Sequence, residues 1–388
     1  MKITSAPVIL SIAWILSLCT VNIPAFEYNE ISTFGYFYYI FMIVLFIISY
    51  IVLSLGLNKD VRNSEVIEFS NSHLYITKFI FYILLILTPF YLYTLVNQVG
   101  FFLSDPAFFF VIVRHMSLNG QINIPFYLSN VPVMFLIITY LFAINLQCNK
   151  AGIVYYLIAL ILSLCLALST GGRFSAVASL MTHVIIFLQI DSRNIVRKSA
   201  LFLFLAVFVM VGAGLLFGRG NGESALSGLK SFVDYFVNGV ILFDNVILIN
   251  LNEVHFSNTL TRFFTDTLTS LQLIEPIQQS KISKFYDFGG EEYGNVFTMF
   301  GQMVDSVGLF LSPIIIVFYG FIYAVSDRFK FSTLALFCVN SYIVSGLVFS
   351  IVRDPVLTDL NFIIKIVIII TAIDFLARIK LLRNKGSV

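Results

Sequence analysis

The sequence predicts an all-α polytopic membrane protein, and three observations lead to that class. Hydrophobic residues make up 59% of the 388-residue chain, whereas 11% are charged, about half of the charged fraction of a soluble domain. The mean hydropathy is +0.94. Uncharged runs of roughly 17 residues or more recur along the chain, and an α-helix of that length crosses a bilayer. We therefore expect a single integral membrane domain over residues 1–388.

About ten apolar runs are long enough to form transmembrane helices. Their even number places both termini on the same side of the membrane. The predicted spans are 6–24, 34–57, 76–96, 126–147, 151–169, 174–190, 199–217, 307–325, 331–351 and 360–377.

The distribution of basic residues predicts the orientation. Fourteen of the 23 Lys and Arg residues lie on the side of the termini, and the positive-inside rule makes that side cytoplasmic. Within the last span, Asp374 and Arg378 are four residues apart, so we expect them to pair near its cytoplasmic end.

One large segment, residues 218–306, separates the predicted seventh and eighth spans on the outer side. Within it, residues 231–256 are strongly apolar, yet polar residues recur at steps of four and seven. That spacing places them on one helical face, which favours a helix that lies in the membrane interface or re-enters the membrane. These polar residues are Asp234, Asn238, Asn245 and Asn252.

Several classes of function are excluded by absent patterns. The net charge of +2 and the lack of a basic tail argue against nucleic acid as a partner. The sequence contains no Walker A, Gly-x-Ser-x-Gly or His-Glu-x-x-His pattern. It also lacks an Asp-x-Asp pair of the kind that holds a divalent metal. We expect neither a metal site nor a cofactor.

Arginines on the outer side are candidates for binding an anion. Arg173 ends a short connection, Ser169–Arg173, between two apolar runs, and Arg219 lies among glycines. A guanidinium group presents a rigid fork of donors that matches phosphate oxygens. The alternative is that these side chains extend to lipid headgroups, and Asp354 offers Arg353 an ion pair. The candidates are Arg173, Arg219, Arg353, Arg262 and Arg114.

Acidic residues and one histidine on the same side are candidates for a general base. A hydroxyl that attacks an electrophilic carbon must lose its proton, and a carboxylate at the membrane edge can accept it. The alternatives are that these carboxylates solvate a loop or bind sugar hydroxyls. The candidates are Asp305, Glu291, Asp287 and His255.

Four short motifs resemble a known family, the bacterial O-antigen (oligosaccharide repeat unit) polymerases of the Wzy type. The resemblance covers roughly residues 165–325, together with the number of spans and the long outer segment. The motifs are Leu168–Arg173, Tyr235–Asp244, Tyr293–Thr298 and Asp305–Phe310.

The resemblance implies a fold of the GT-C type and a glycosyltransferase at the periplasmic face of the bacterial inner membrane. Such enzymes move the growing glycan from undecaprenyl diphosphate to the non-reducing end of an incoming lipid-linked repeat unit, without a metal. It also implies a chain-length-regulating co-polymerase as a partner, besides membrane lipids. On this basis, Arg173 and Arg219 are expected to hold the lipid diphosphate.

The sequence departs from the family pattern at one position, and two other functions stay open. Some members carry a glycine eleven residues after a paired arginine, and Lys230 occupies that place after Arg219. An O-antigen ligase or another GT-C-like transferase is the first alternative. The ligase pattern His-x10-Gly fails, because Asp266 stands at that spacing after His255. The second alternative is a lipid-linked oligosaccharide flippase, for which about twelve spans are expected.

Overall fold

A computed structural model describes most of the chain, and the helices follow the apolar runs. The described residues are 5–57, 69–100, 109, 112–113, 116, 121–149, 152–169, 173–191, 200, 204–205, 207–209, 212, 225–247, 262–274, 286–289, 292–294 and 297–385. The elements are α1 (Ala6–Val21), α2 (Thr33–Gly56), α3 (Asn71–Val99), α4 (Phe126–Ser129), α5 (Val131–Asn149), α6 (Ile153–Ser169), α7 (Arg173–Ile190), α8 (Ala225–Leu242), α9 (Arg262–Ser270), β1 (Tyr286–Gly289), β2 (Glu292–Gly294), α10 (Met299–Val307), α11 (Ser312–Phe329), α12 (Leu334–Gly346) and α13 (Leu360–Lys385).

The prediction of a helical membrane protein is confirmed. Five helical segments in the described part of the chain are long and apolar enough to cross a membrane, and further apolar helices of 10–17 residues accompany them. Most of the predicted seventh span lies outside the described residues. The total of ten spans therefore stays a prediction. The five long segments are Thr33–Gly56, Asn71–Val99, Phe126–Asn149, Ser312–Phe329 and Leu360–Ile379.

The start of the predicted eighth span is wrong. The prediction begins at residue 307, but α10 ends at Val307 and the long helix α11 begins at Ser312. Gly308 has a φ of 83° and so breaks the helix, because glycine adopts that conformation without steric cost. Pro313 then lies in the first turn of α11, where a missing N–H is tolerated.

The chain divides into two compact units. The first unit comprises Met1–Ser64, Val233–Phe331 and Tyr342–Lys365, and the second comprises Glu65–Phe232, Ser332–Ser341 and Ile366–Val388. The first unit therefore holds α1, α2, most of α8, α9, the two strands, α10 and α11. The second holds α3 to α7, most of α12 and most of α13.

Helices α2 and α11 of the first unit run parallel, side by side. Tyr38 shares a hydrogen bond with Ser312 near the start of both helices. Near their other ends, the Tyr50 hydroxyl donates to Asp327 at 2.8 Å. Between these points a Cβ on Gly320 would lie 2.6 Å from Ser49 Cβ and 2.9 Å from the Phe46 carbonyl oxygen. The close approach of the two backbones thus requires glycine at this position.

An aromatic cluster fills the core of the first unit. The Trp14 ring lies 4.5 Å from Phe300 and 4.9 Å from Tyr39, measured between ring centroids. The Trp14 indole N–H donates to Ser350 Oγ at 2.9 Å. Phe243 packs on Tyr39 at 5.0 Å. Such stacked and tilted pairs add to the stabilisation from burial alone, and they join α1, α2, α10 and the helical turn that follows α8.

Two residues of the polar face of α8 are buried within the protein. Helix α8 continues as a π-helical turn, Phe243–Ile247. Asp234 is 9% exposed and Asn238 is 7% exposed, and burial requires partners for the Asp234 carboxylate. Asn252 lies outside the described residues. The interfacial or re-entrant position of this helix stays a prediction.

One β-hairpin departs from the otherwise helical architecture. Strands β1 and β2 pair antiparallel, with Asp287 opposite Tyr293. Gly289 has a φ of 104°, and it forms an isolated bridge with Tyr28 in the connection between α1 and α2. The hairpin is therefore attached to that connection.

The second unit is a helical bundle of α3, α5, α6 and α7. Phe81 of α3 makes edge-on contacts with Phe135 and Phe142 of α5 at 6.1 and 5.6 Å. The predicted pair of Asp374 and Arg378 is confirmed, with a distance of 2.8 Å. Asp374 also accepts a contact from His73 Nε2 at 2.9 Å.

Replacing Gly320 by alanine tests the close packing of α2 on α11. We expect Gly320→Ala to lower the free energy of unfolding by about 1–3 kcal/mol, because the new methyl group overpacks the contact. Thermal unfolding of the purified protein in detergent measures the change. Gly56→Ala is the control, since a Cβ there would meet nothing within 4 Å. Equal stability of both variants would contradict the packing.

Candidate functional site

Four segments from three regions of the sequence meet at one end of the first unit. The Asn29 N–H donates to the Phe288 carbonyl oxygen at 3.0 Å, and the Tyr286 ring lies 6.3 Å from the Phe297 ring. The Met299 N–H donates to the Ser350 carbonyl oxygen at 2.6 Å. We call residues 22–32, 286–289, 298–307 and 350–359 the loop cluster.

Asp354 organises the last segment of the loop cluster. Its side chain is fully buried, and the Tyr319 hydroxyl donates to Oδ2 at 2.5 Å. Oδ1 accepts the backbone N–H groups of Val356 at 2.8 Å and Leu357 at 2.6 Å. Burial raises the pKa of the Asp354 carboxyl, and these hydrogen bonds oppose the rise. With its oxygens engaged in this way, Asp354 is a structural residue.

Arg353 pairs with Asp359 and not with the adjacent Asp354, which was the alternative partner in the sequence. The Arg353 Nη2 group donates to Asp359 Oδ2, and the Tyr342 hydroxyl donates to the same oxygen at 2.6 Å. The Arg353 side chain is 32% exposed. Because Asp354 is turned inward to Tyr319, it is not the partner of the neighbouring arginine. The Arg353 side chain is therefore held by an ion pair and partly exposed, and its role in binding an anion stays a prediction.

Asp305 lies on α10, next to the segment that carries Arg353. On the same helix, Gln302 Oε1 accepts the Asp354 N–H at 2.8 Å. Met299 to Val304 are buried, whereas Asp305 is partly exposed. The structure therefore brings two of the predicted site residues, Asp305 and Arg353, onto neighbouring elements.

Asp287 has a local structural contact. Its Oδ1 atom accepts the Gly289 N–H at 2.8 Å, and its side chain is exposed on β1. This contact supports the bend of the strand at Gly289. Asp287 thus has a structural contact within its own loop, and its role as a base stays a prediction.

The other predicted site residues are described in part or not at all. Arg173 and Arg262 are the first residues of α7 and α9, and their side chains lie outside the described structure. The residues that lie wholly outside it are Arg114, Arg219, His255 and Glu291.

Two buried carboxylates of the first unit were missed as site residues by the sequence reasoning. Asp244 is 7% exposed and accepts both the N–H and the hydroxyl of Ser32, each at 2.6 Å. Asp234 accepts the Tyr28 hydroxyl at 2.7 Å. Both carboxylates thus attach α8 and its π-helical turn to the connection between α1 and α2. The sequence feature that could have identified them is the recurrence of polar residues in an apolar helix, because such residues are as often buried as exposed.

Asn238 adds an unsatisfied acceptor to the face of α8 that carries Asp234. The two residues are one helical turn apart, so they share that face. The Oδ1 atom of Asn238 is buried and has no hydrogen-bond partner among the residues that the structure describes. A buried acceptor without a donor is costly, so Asn238 is a destabilising polar group in the interior of the first unit.

Comparison with known proteins identifies a family. The family model described as O-antigen polysaccharide polymerase Wzy matches residues 7–273, well over half of the 388-residue chain. No curated protein matches the chain, and no solved structure matches it. The match begins well before the region on which the sequence resemblance depended, and it ends before Asp305 and Arg353. It includes the connection between α1 and α2 and both missed carboxylates.

Proposed function

The chain belongs to the O-antigen polysaccharide polymerase Wzy family, and we propose that it joins lipid-linked repeat units at the periplasmic face of the bacterial inner membrane. Polymerase activity on lipid-linked O-antigen repeat units follows from the family. The observation that carries the proposed location is the loop cluster. Its segments all lie on the outer side in the topology derived from charge, and their meeting at one end of the first unit supports that topology.

The proposed reaction moves the growing glycan from its undecaprenyl diphosphate carrier to the incoming repeat unit. The bond between the anomeric carbon and the diphosphate oxygen breaks, and the electron pair leaves with the undecaprenyl diphosphate. A hydroxyl oxygen at the non-reducing end of the incoming unit forms the new bond to that carbon. The proton of this hydroxyl passes to a base. The reaction uses no metal and no cofactor in this proposal.

The arginines bind the diphosphate and stabilise the charge that develops on it as the bond breaks. Charge-assisted bidentate hydrogen bonds suit phosphate oxygens, and fixed donors lower the barrier because they need no rearrangement. Arg353 supports this role, since Asp359 fixes its guanidinium group while part of the side chain stays exposed. Arg173 and Arg219 are proposed from the sequence, with Arg262 and Arg114 as further candidates.

Asp305 is the proposed base. It lies on the helix that contacts the Arg353 segment, and its partial exposure lets a sugar hydroxyl approach. Asp287 is the weaker candidate, because its carboxylate supports the bend of β1. Glu291 and His255 stay candidates from the sequence alone. A chain-length-regulating co-polymerase is proposed as a partner on the family resemblance.

Deletion of the gene in its host tests the proposed function. We expect lipopolysaccharide to run on a gel as core plus a single repeat unit, because units are still delivered and ligated without being joined. Complementation with the wild-type chain restores the long-chain ladder. Core without any repeat unit would contradict a polymerase and favour a ligase or a flippase.

Substitution of two arginines tests diphosphate binding. In the complemented strain, we expect Arg173→Ala and Arg219→Ala each to abolish long chains without lowering the amount of protein. Arg173→Lys is expected to restore chains only in part, because lysine keeps the charge but lacks the fork. Arg378→Ala is the matched control, since that side chain is 68% exposed and pairs with Asp374. Normal banding from both alanine variants would contradict the diphosphate site.

The assignment of the base is tested by two isosteric substitutions. We expect Asp305→Asn to lower the polymerisation rate by about 100-fold or more, the usual contribution of a general base. Asp287→Asn should leave the rate within about twofold, since the exposed carboxylate has a local contact. Rates are measured with the purified variants and lipid-linked repeat units. A large loss of rate in Asp287→Asn with a small loss in Asp305→Asn would instead assign the base to Asp287.

A further inference from the structure

The connection between α1 and α2 is held in a fixed conformation. Its residue Asn29 bonds to Phe288 of β1 at 3.0 Å. A Cβ on Gly289 would lie 2.4 Å from the Asn29 nitrogen, so the hairpin and the connection are in close backbone contact. The Tyr36 hydroxyl donates to Asn22 Oδ1 at 2.9 Å and holds the beginning of the same connection. Such attachment gives a binding surface its precision.

Three aromatic rings lie next to one another where this connection meets β1. The Phe26 and Tyr28 rings are stacked with centroids 5.4 Å apart, and Tyr28 lies 6.0 Å from Phe288. Phe288 is 2% exposed, whereas Phe26 and Tyr28 are partly exposed. We call these three residues the aromatic platform. Its inner ring is part of the core, and its two outer rings are accessible.

Two acidic residues lie beside the aromatic platform. The Tyr28 hydroxyl is bonded to the buried carboxylate of Asp234. Glu27, which stands between Phe26 and Tyr28 in the sequence, is exposed and has a φ of 54°. A non-glycine residue rarely adopts that conformation, and such residues cluster at ligand sites.

An aromatic belt at the membrane interface is the ordinary explanation for such rings. In a belt, tyrosine hydroxyls point to headgroups and water. The Tyr28 hydroxyl instead bonds to a carboxylate that is 9% exposed. Phe34 of α2 is a belt-like residue by comparison, with 52% of its surface exposed. The aromatic platform therefore differs from a lipid-facing belt in both its hydrogen bonding and its burial.

From this arrangement we propose that the aromatic platform is a subsite for a sugar ring of the repeat unit. A pyranose ring has an apolar C–H face, which packs on aromatic rings, and an edge of hydroxyl donors, which suits the exposed acidic side chain of Glu27. The inference rests on the proposed function, because that function supplies the glycan. The subsite positions a sugar in the outer half of the first unit and takes no part in the chemical step.

Binding of the free glycan tests the subsite separately from catalysis. The probe is the oligosaccharide released from the host's lipid-linked repeat unit by mild acid. Saturation-transfer NMR measures its Kd for the full-length protein in detergent. We expect Phe26→Leu to raise the Kd roughly fivefold to tenfold, since leucine keeps the bulk but loses the aromatic face. Phe34→Leu is the matched control and should leave the Kd within about twofold.

A second pair of variants separates the orientation of the Tyr28 ring from the general loss of a tyrosine hydrogen bond. Tyr28→Phe keeps the ring but removes its bond to Asp234, and we expect a Kd raised roughly threefold to tenfold. Tyr50→Phe removes a comparable bond, to Asp327 at the far end of α2, and should not change the Kd. Thermal unfolding of each variant confirms that it is folded.

The outcomes distinguish the subsite from the polymerase. An unchanged Kd in Phe26→Leu and Tyr28→Phe, with long chains still made, would overturn the subsite and leave the proposed function intact. Equal losses in the two control variants would also overturn it, because they would indicate a general effect on the membrane interface. Long chains that persist after gene deletion would overturn the proposed function itself, whatever the Kd values.

Discussion

Three buried carboxylates determine how the connections of the first unit are arranged. Asp234, Asp244 and Asp354 are each at most 9% exposed, in a chain with few charged residues. A buried carboxylate is costly unless donors surround it, and the apolar interior of a membrane protein requires those donors to come from the protein. Asp234 therefore accepts from Tyr28, and Asp244 accepts from Ser32. Asp354 accepts from Tyr319 and from the backbone that follows it.

The same constraint brings the candidate site together. Asp234 and Asp244 fix the connection between α1 and α2 against α8, and Asp354 fixes the connection before α13. Because Asp354 is directed inward, the adjacent Arg353 pairs with Asp359 and stays accessible. Arg353, which is proposed to bind the diphosphate, and the proposed sugar subsite thus both depend on hydrogen bonds to buried carboxylates.

The helices could be predicted from the sequence because apolar length and charge act locally. The runs at 34–57 and 126–147 correspond closely to helical segments at Thr33–Gly56 and Phe126–Asn149. The pair Asp374 and Arg378 was predictable for the same reason, since four residues make one helical turn.

The arrangement of the site depends on contacts that no local pattern contains. The partner of Arg353 lies six residues away in a connection without regular periodicity, and the donors to Asp234 and Asp244 come from about 200 residues earlier. Helical spacing defined the polar face of α8 but not whether that face meets water or protein. The end of a helix at Gly308 was not predicted, because the apolar run continues across this residue and gives no indication of its positive φ.

Reconstitution of the chain alone tests whether it joins repeat units without a metal or a second protein. The purified chain is incorporated into vesicles that contain lipid-linked repeat units and EDTA, and the products are separated by size. We expect a ladder of lipid-linked glycans that lengthens with time, because the chain's own arginines and base perform the transfer. Repeat units that stay unjoined until a divalent cation or a second protein is added would contradict it.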